Sequence, residues 1–546
     1  MKEAGTTSKI LQGAFVLSIA MVLSKLIGTV QKIPLQNMGG DVVFGIYNTV
    51  YPFYNLMVVL ALAGFPAAIS KFVAEDAALG RQARSRQVIG IASVTLACSG
   101  LLLGSLIYFG APLIGGWIDN ASVEPALRAS AIAMLFVPVM SGLRGFFQGY
   151  QDMMPTAVSQ ITEQSVRVGV MIVLLVYLTS TGATAEHIAA GALIGSAAGG
   201  AAGLVVMGGY WRRYRRSHHA VIEDSLRSGN EGEREGSGKL LWSMLKYAIP
   251  VCLGALAVSL VSLADTFTVP RLLKAGGAGE AGAMVQFGVY NRGMPIVQLI
   301  TMLATSLSVL FIPALAEAKV TGDKQLVAER SRLSLRWFWL TGMAASIGIA
   351  MLAQPVNIAL YQDTDGTSVI RWIAFTAAGS ALSIISAALL QGISIVKAPA
   401  LHLLAAAAAK TLLNLLLVPQ LGITGAAIAS VAAHFLAAAL NIALLTRRTG
   451  LRIRAGTTLF KPAAVLAGMA LAAGAAMLAA DALLSAAGLH ARLTAAAASL
   501  AGAAAGGAAF LAGAVKTRLL SEQELRMLPK IGASLAGLLR RLRLLA

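Results

Sequence analysis

The chain has 546 residues, 57% of them hydrophobic and 12% charged, with a formal net charge of +19. That composition excludes an ordinary soluble domain, and apolar runs of about 20 residues along the whole length read as membrane-spanning helices. Most of the 43 Lys and Arg fall between alternate spans, so the charge is a topology signal and argues against a nucleic-acid partner.

The apolar pattern predicts about fourteen spans and an all-α integral membrane protein. The first, near 11–31, lacks a small-residue cleavage site leading into a soluble domain, so it reads as a retained helix. Five more follow near 44–66, 87–110, 127–149, 155–178 and 186–208, completing an N-lobe at 1–209. Residues 210–240, with "YWRRYRRSHHAVIEDSLRSGNEGEREGSGK" at 210–239, are charged and Gly/Ser-rich with no apolar face, as expected of a cytoplasmic linker. Spans near 241–267, 284–314, 334–356, 368–391, 398–418 and 423–446 form a C-lobe at 241–446. Two Ala-rich spans near 461–484 and 493–514 make an appendix at 447–515.

The tail at 516–546 offers Ser521 and Glu524 as a capping box and ends in the basic amphipathic "LAGLLRRLRLLA", which suits the inner membrane surface. Clusters such as Arg81/Arg84/Arg86, Arg212–Arg216 and Arg447–Arg454 all fall inside when the span count is even, which places both termini in the cytoplasm. Cys98 and Cys252 sit in spans and the histidines show no ligand spacing, so neither a metal nor a cofactor is expected.

The chain repeats itself. "IYNTVYP" at 46–52 returns as "VYNRGMP" at 289–295, Gln148-Gly149 as Gln391-Gly392, and Arg167 as Lys410, each 243 residues on. Spans 1–6 and 7–12 therefore read as two copies of one six-helix unit. An even number of spans gives both copies the same orientation, and parallel repeats of this kind belong to transporters that rock two halves about a central site.

Charges inside spans are costly and mark candidate functional sites unless they snorkel to an interface. Lys25 lies deep in span one, and Arg292 replaces the Thr49 of the first repeat. Arg144 fits either snorkelling or a cavity. Glu163 and Arg167, four apart on span five, share a helical face and could pair locally, whereas Lys410 has Ala406 at the corresponding place. Lys25 and Arg292, with Arg144, Arg167 and Lys410, make a candidate cationic cavity for a strongly anionic substrate, because arginine's planar fork suits phosphate and lysine adds point charge. Asp265 is a candidate partner for Arg292 or a coupling site for Na⁺ or H⁺. Asn48, Asn291, Gln148 and Gln391 are candidate polar groups of the same cavity.

"RGFFQGYQDMMPTAVSQITEQSVRVG" (144–169) and "KTLLNLLLVPQLGITGAAIAS" (410–430) resemble the polysaccharide-transporter branch of the MOP flippase superfamily, with its SpoVB/YtgP members. "SKLIGTVQK" (24–32) and "YNRGMPIVQLI" (290–300) resemble the first- and eighth-span motifs of MurJ-type lipid II flippases. In the first motif Lys25 keeps one cavity charge, the second falls at Gln31 beside Lys32, and Leu56 stands where a second-span arginine is expected. The resemblance implies two lobes working by alternating access on an undecaprenyl-pyrophosphate-linked sugar in the bacterial cytoplasmic membrane. It also implies that spans 13 and 14 form a groove for the lipid tail.

The expected function is a lipid II flippase rather than an enzyme. The alternatives are a flippase for a teichoic, capsular or spore-wall precursor, a multidrug/cation antiporter of the same fold, a membrane glycosyltransferase or ligase, and a scaffold for wall synthesis. Expected partners are the lipid-linked sugar, membrane lipids and the cell-wall synthesis machinery. The outer loops are short, and Asp363 and Asp365 read there as a polar turn.

Overall fold

The computed structural model describes residues 2–217, 236–308, 311–320, 322–451, 460–517, 519–520 and 537. Most of the expected linker, His218 and His219 included, and the expected capping box and basic tail helix lie outside these residues. The described residues are helical almost throughout, with no strand among them. Ten helical stretches are long and apolar enough to cross a membrane, or eleven when one bent pair counts as a span. One stretch, Val16–Ala78, covers 63 residues and holds the first two predicted spans. The chain is a multi-pass membrane protein, and it divides into two compact units, Met1–Asn291 and Arg292–Ala546.

Unit 1 holds α1 (Lys2–Val30), α2 (Lys32–Leu62), α3 (Phe65–Ala78), α4 (Gln82–Ile118), α5 (Glu124–Ile132), α6 (Val137–Gly149), α7 (Met154–Ser180), α8 (Ala185–Ser217), α9 (Ser237–Leu273) and α10 (Gly279–Asn291). Proline opens α3, α6 and α7 (Pro66, Pro138, Pro155), where its missing N–H breaks no helical hydrogen bond. Helix α2 is broken at Gly40, whose φ of 78° and ψ of 176° leave the helical region, so residues 41–62 run on as their own segment. Its buried face, with Phe44, Ile46, Tyr47 and Val50, joins Phe65, Ile69, Leu96 and Phe146 in one core.

The segments just ahead of the two copies of the repeated phrase meet in unit 1. A Cβ on Gly45 would stand 2.1 Å from the Met284 carbonyl oxygen, and one on Gly288 would stand 2.2 Å from that of Asp41. Gly45 and Gly288 are themselves 243 residues apart (288 − 45), so α2 and α10 cross backbone to backbone at equivalent points of the repeat. Small residues permit this approach in a membrane bundle, where close packing replaces the hydrophobic drive. Around the crossing the copies behave alike. Asn48 donates to the Phe44 carbonyl and Asn291 to the Phe287 carbonyl, each at 2.8 Å. Thr49 donates to the Gly45 carbonyl at 2.8 Å. At the loop end of α9, the Lys274 ammonium meets Asp119 Oδ1 at 2.9 Å and Glu280 Oε1 at 3.1 Å. Hydrogen bonds to Asp119 and then Glu280 raise its pKa above the usual lysine value.

Unit 2 holds α11 (Met294–Ser308), α12 (Phe311–Val320), α13 (Lys324–Met351), α14 (Ala353–Tyr361), α15 (Thr367–Ile373), α16 (Phe375–Gly392), α17 (Lys397–Leu421), α18 (Ile423–Thr449), α19 (Lys461–Ala486) and α20 (Ala491–Lys516). Helices α13 and α14 form the bent pair, turning by 69° at a short break. The predicted seventh span is α9, and the predicted eighth is a broken run made of α10, α11 and α12. Helices α19 and α20 are the predicted spans 13 and 14, and both lie in unit 2.

Candidate functional site

The charged groups of unit 1 gather around a row of tyrosines on α2. Tyr47, Tyr51 and Tyr54 fall at helical spacing on one face. The rings of Tyr47 and Tyr51 stack with centroids 5.4 Å apart, and that of Tyr54 follows at 6.1 Å. Two cations flank the middle ring. Lys32 Nζ lies 5.8 Å from the Tyr51 centroid and Arg167 Cζ lies 5.2 Å from it. Arg167 is also within hydrogen-bonding reach of the Tyr47 and Tyr51 hydroxyls. Gln31, at the α1–α2 junction, donates to the Tyr47 hydroxyl at 3.4 Å.

Burial sharpens the site. Lys32 is only 5% exposed. Arg167 Nη2, Gln31 Oε1 and Gln36 Oε1 are buried without a hydrogen-bond partner among the described residues. A buried cation costs several kcal/mol unless an anion compensates it, and cation–π contact returns only about 0.5–2 kcal/mol. The nearest acid on α7 is already engaged: Glu163 Oε2 accepts from Arg144 Nη2 at 2.8 Å. The expected local pair of Glu163 with Arg167 is therefore replaced by one that ties α6 to α7. Arg144 also donates to Ser159 Oγ through Nε and Nη2, and Ser159 passes the chain of bonds to the Gly203 carbonyl on α8. With Glu163 held by Arg144, Lys32 and Arg167 flank Tyr51 as a cationic cluster beside tyrosine hydroxyls, a chemistry suited to a multiply charged anion.

Other expected residues stand elsewhere. Lys25 is exposed on α1, and its ammonium has no ion-pair partner among the described residues. Asp265, buried on α9, accepts from the Tyr290 hydroxyl at 2.7 Å. Tyr47 meets Gln31 as Tyr290 meets Asp265, so the tyrosine contacts place Asp265 and Gln31 at matching points of the repeat. The amides of Asn48 and Asn291 are spent on their own helices. Gln148 is half-buried and Gln391 exposed. Lys410 is buried on α17, one turn from buried Asn414.

Arg292, in unit 2, is 1% exposed and held by its own loop. Its guanidinium forms a two-pronged pair with the Asp363 carboxylate, its Nη1 also reaches the Asp365 carbonyl at 3.2 Å, and it lies over the Tyr361 ring at 5.4 Å. The Tyr361 hydroxyl donates to the Arg292 carbonyl at 2.8 Å, and Asn357 donates to the Asp365 carbonyl at 2.8 Å. The polar turn read in the sequence is thus the anchor of a buried arginine. Asp363→Asn should destabilise the protein by about 1–3 kcal/mol, below the 3–5 kcal/mol of a fully enclosed pair because the Asp363 side chain is 42% exposed. A thermal melt of the purified protein checks this, and Asp363→Glu should recover part of the loss.

Unit 2 also contains an apolar cavity of about 480 Å³, lined by Ile300 of α11, Ala345 and Gly348 of α13, Met469 of α19, and Ala503 and Phe510 of α20.

Comparison with known proteins places this arrangement. Residues 10–319 match the family model described as polysaccharide biosynthesis protein. The chain belongs to that family. Among curated proteins of Bacillus subtilis (strain 168), it is 31% identical to the uncharacterized membrane protein YabM, over 97% of this chain and 96% of YabM. It is 28% identical to the lipid II flippase MurJ over 81% and 84% of the two chains, and 25% identical to stage V sporulation protein B over 80% and 83%. Among solved structures, MurJ in an inward closed conformation matches with a TM-score of 0.63 and 13% identity, over 92% of this chain and 99% of that one. An inward-facing multidrug resistance MATE transporter of the MOP superfamily matches with a TM-score of 0.59 and 17% identity, over 80% and 98%. The family member described here thus has the MOP fold.

Lys32 was the residue the motif reading passed over. The lysine adjoins Gln31, where the expected second charge of the first-span motif fell. Its spacing of seven from Lys25 returns it to a similar helical face after two turns, a signal legible in "SKLIGTVQK".

Proposed function

We propose that this protein is a flippase that carries an undecaprenyl-pyrophosphate-linked peptidoglycan precursor, lipid II, from the inner to the outer leaflet by alternating access. The observation that carries the reading is the two cations, buried Lys32 and half-buried Arg167, that flank the Tyr51 ring in unit 1. In this mechanism the pyrophosphate exchanges water for the two cations and the tyrosine hydroxyls, and the sugar stays in the aqueous cavity. Lys25 adds positive charge to the same unit. The apolar cavity beside α19 and α20 takes the polyprenyl tail, whose transfer from lipid costs little there. The membrane is the bacterial cytoplasmic membrane, with both termini inside. Rocking alone has no direction, so a cation gradient or the membrane potential biases the cycle, with Asp265 as the candidate coupling carboxylate. The name of the lipid II flippase MurJ supports a lipid-linked substrate, and the basic cluster disfavours an organic cation.

Complementation tests the reading. Expression of the wild-type chain in a bacterium depleted of its lipid II flippase should restore growth. Failure to rescue, at matched membrane levels, would move the assignment to another lipid-linked sugar, such as a teichoic, capsular or spore-wall precursor.

A further inference from the structure

A second cavity in unit 2, of about 410 Å³, opens where the 487–490 turn joins α19 to α20. Its lining includes two opposite charges, Arg371 of α15 and Asp481 of α19, together with apolar Met351, Ile358 and Met477. Asp481 is the sole acid between residues 461 and 516, on a helix otherwise apolar but for Lys461 and Ser485. A carboxylate on such a helix is costly in a membrane and calls for a partner. Neither Asp481 nor Arg371 makes a hydrogen bond or ion pair among the described residues, although both line the same space. Both residues are exposed, and two charges of opposite sign in the lining of one partly apolar cavity form a complement to a zwitterionic amphiphile.

We infer that this cavity binds the headgroup of a zwitterionic glycerophospholipid bearing a primary ammonium, with its phosphate on Arg371 and its ammonium on Asp481. The guanidinium supplies a planar donor fork to the phosphate, and the carboxylate accepts from the ammonium. The acyl chains leave over Ile358 and Met477 into the bilayer. The site is separate from the Lys32–Arg167 cluster and does not depend on what that cluster carries.

The test is lipid retention by the full-length protein in native mass spectrometry, with equimolar phosphatidylethanolamine and phosphatidylglycerol of identical acyl chains. Wild type should retain phosphatidylethanolamine about tenfold better, the worth of one charge-assisted contact. Asp481→Asn should bring the ratio to about one while phosphatidylglycerol retention holds, and Arg371→Gln should lower both about tenfold. A wild-type protein that retains the two lipids equally, or an Asp481→Asn protein that keeps the preference, overturns the proposal. The wild-type competition needs no variant, so a variant that fails to fold leaves the proposal exposed to refutation.

Discussion

Arg167→Gln is expected to weaken binding of a lipid-linked pyrophosphate about 10- to 100-fold, with Lys32→Gln close behind. Each variant removes a charge-assisted contact worth about 1.5–3 kcal/mol. The double variant should lose less than the product of the two, because both cations serve one anion and so do not act independently. Binding of undecaprenyl pyrophosphate to the purified protein, followed by intrinsic fluorescence or calorimetry, provides the measurement. A control separates the site from the scaffold. Arg144→Gln removes a cation of the same unit whose partners are Ser159 and Glu163, so its first effect should be on the melting temperature. If Arg144→Gln and Arg167→Gln weakened pyrophosphate binding equally, the cluster around Tyr51 would not be the anion site.

Gly288→Leu should prevent unit 1 from folding, and Gly45→Leu should do the same. At either position even the first side-chain carbon would fall within about the length of two covalent bonds of a carbonyl oxygen, and the obstacle is backbone that cannot swing away. Overpacking in a core costs about 1–3 kcal/mol when side chains yield, and more is expected here because none can. Gly90→Leu is the matched control, since nothing lies within 4 Å of a Cβ placed there. Membrane-fraction yield and size-exclusion profiles should show loss for the first two and near-normal behaviour for the third.

The membrane class, the repeat and the helices were legible in the sequence because lipid forces each apolar run of sufficient length into a helix. The registry of the repeat singled out Asn48 and Asn291 as candidates, whereas Tyr47 and Tyr290 stood in the same phrases without being named. Partners were harder to read. Helical spacing joined Glu163 to Arg167, but Arg144 arrives from α6 and takes the carboxylate, a contact between segments 19 residues apart that no local period encodes. Arg292 was read as a cavity charge with Asp265 as its candidate partner, because its counter-ion, Asp363, lies 71 residues further on in a loop that reads as an ordinary turn. Lys32 escaped because its role depends on the bend of α2 and on the ring of Tyr51, neither of which a first-span motif contains.

The boundary between the packing units, after Asn291, does not coincide with the boundary between the sequence repeats, which falls in the 210–240 segment. This has a consequence for biogenesis. When the first repeat has left the ribosome, the face of α2 around Gly45 still lacks α10, and the covering helices belong to the next repeat. The nascent first half must therefore wait in the bilayer, with Gly45 and its neighbours against lipid or an insertion factor, until synthesis has passed Asn291. A gene split in the 210–240 segment would yield an N-terminal fragment poor in stability by itself and rescued by co-expression of the remainder.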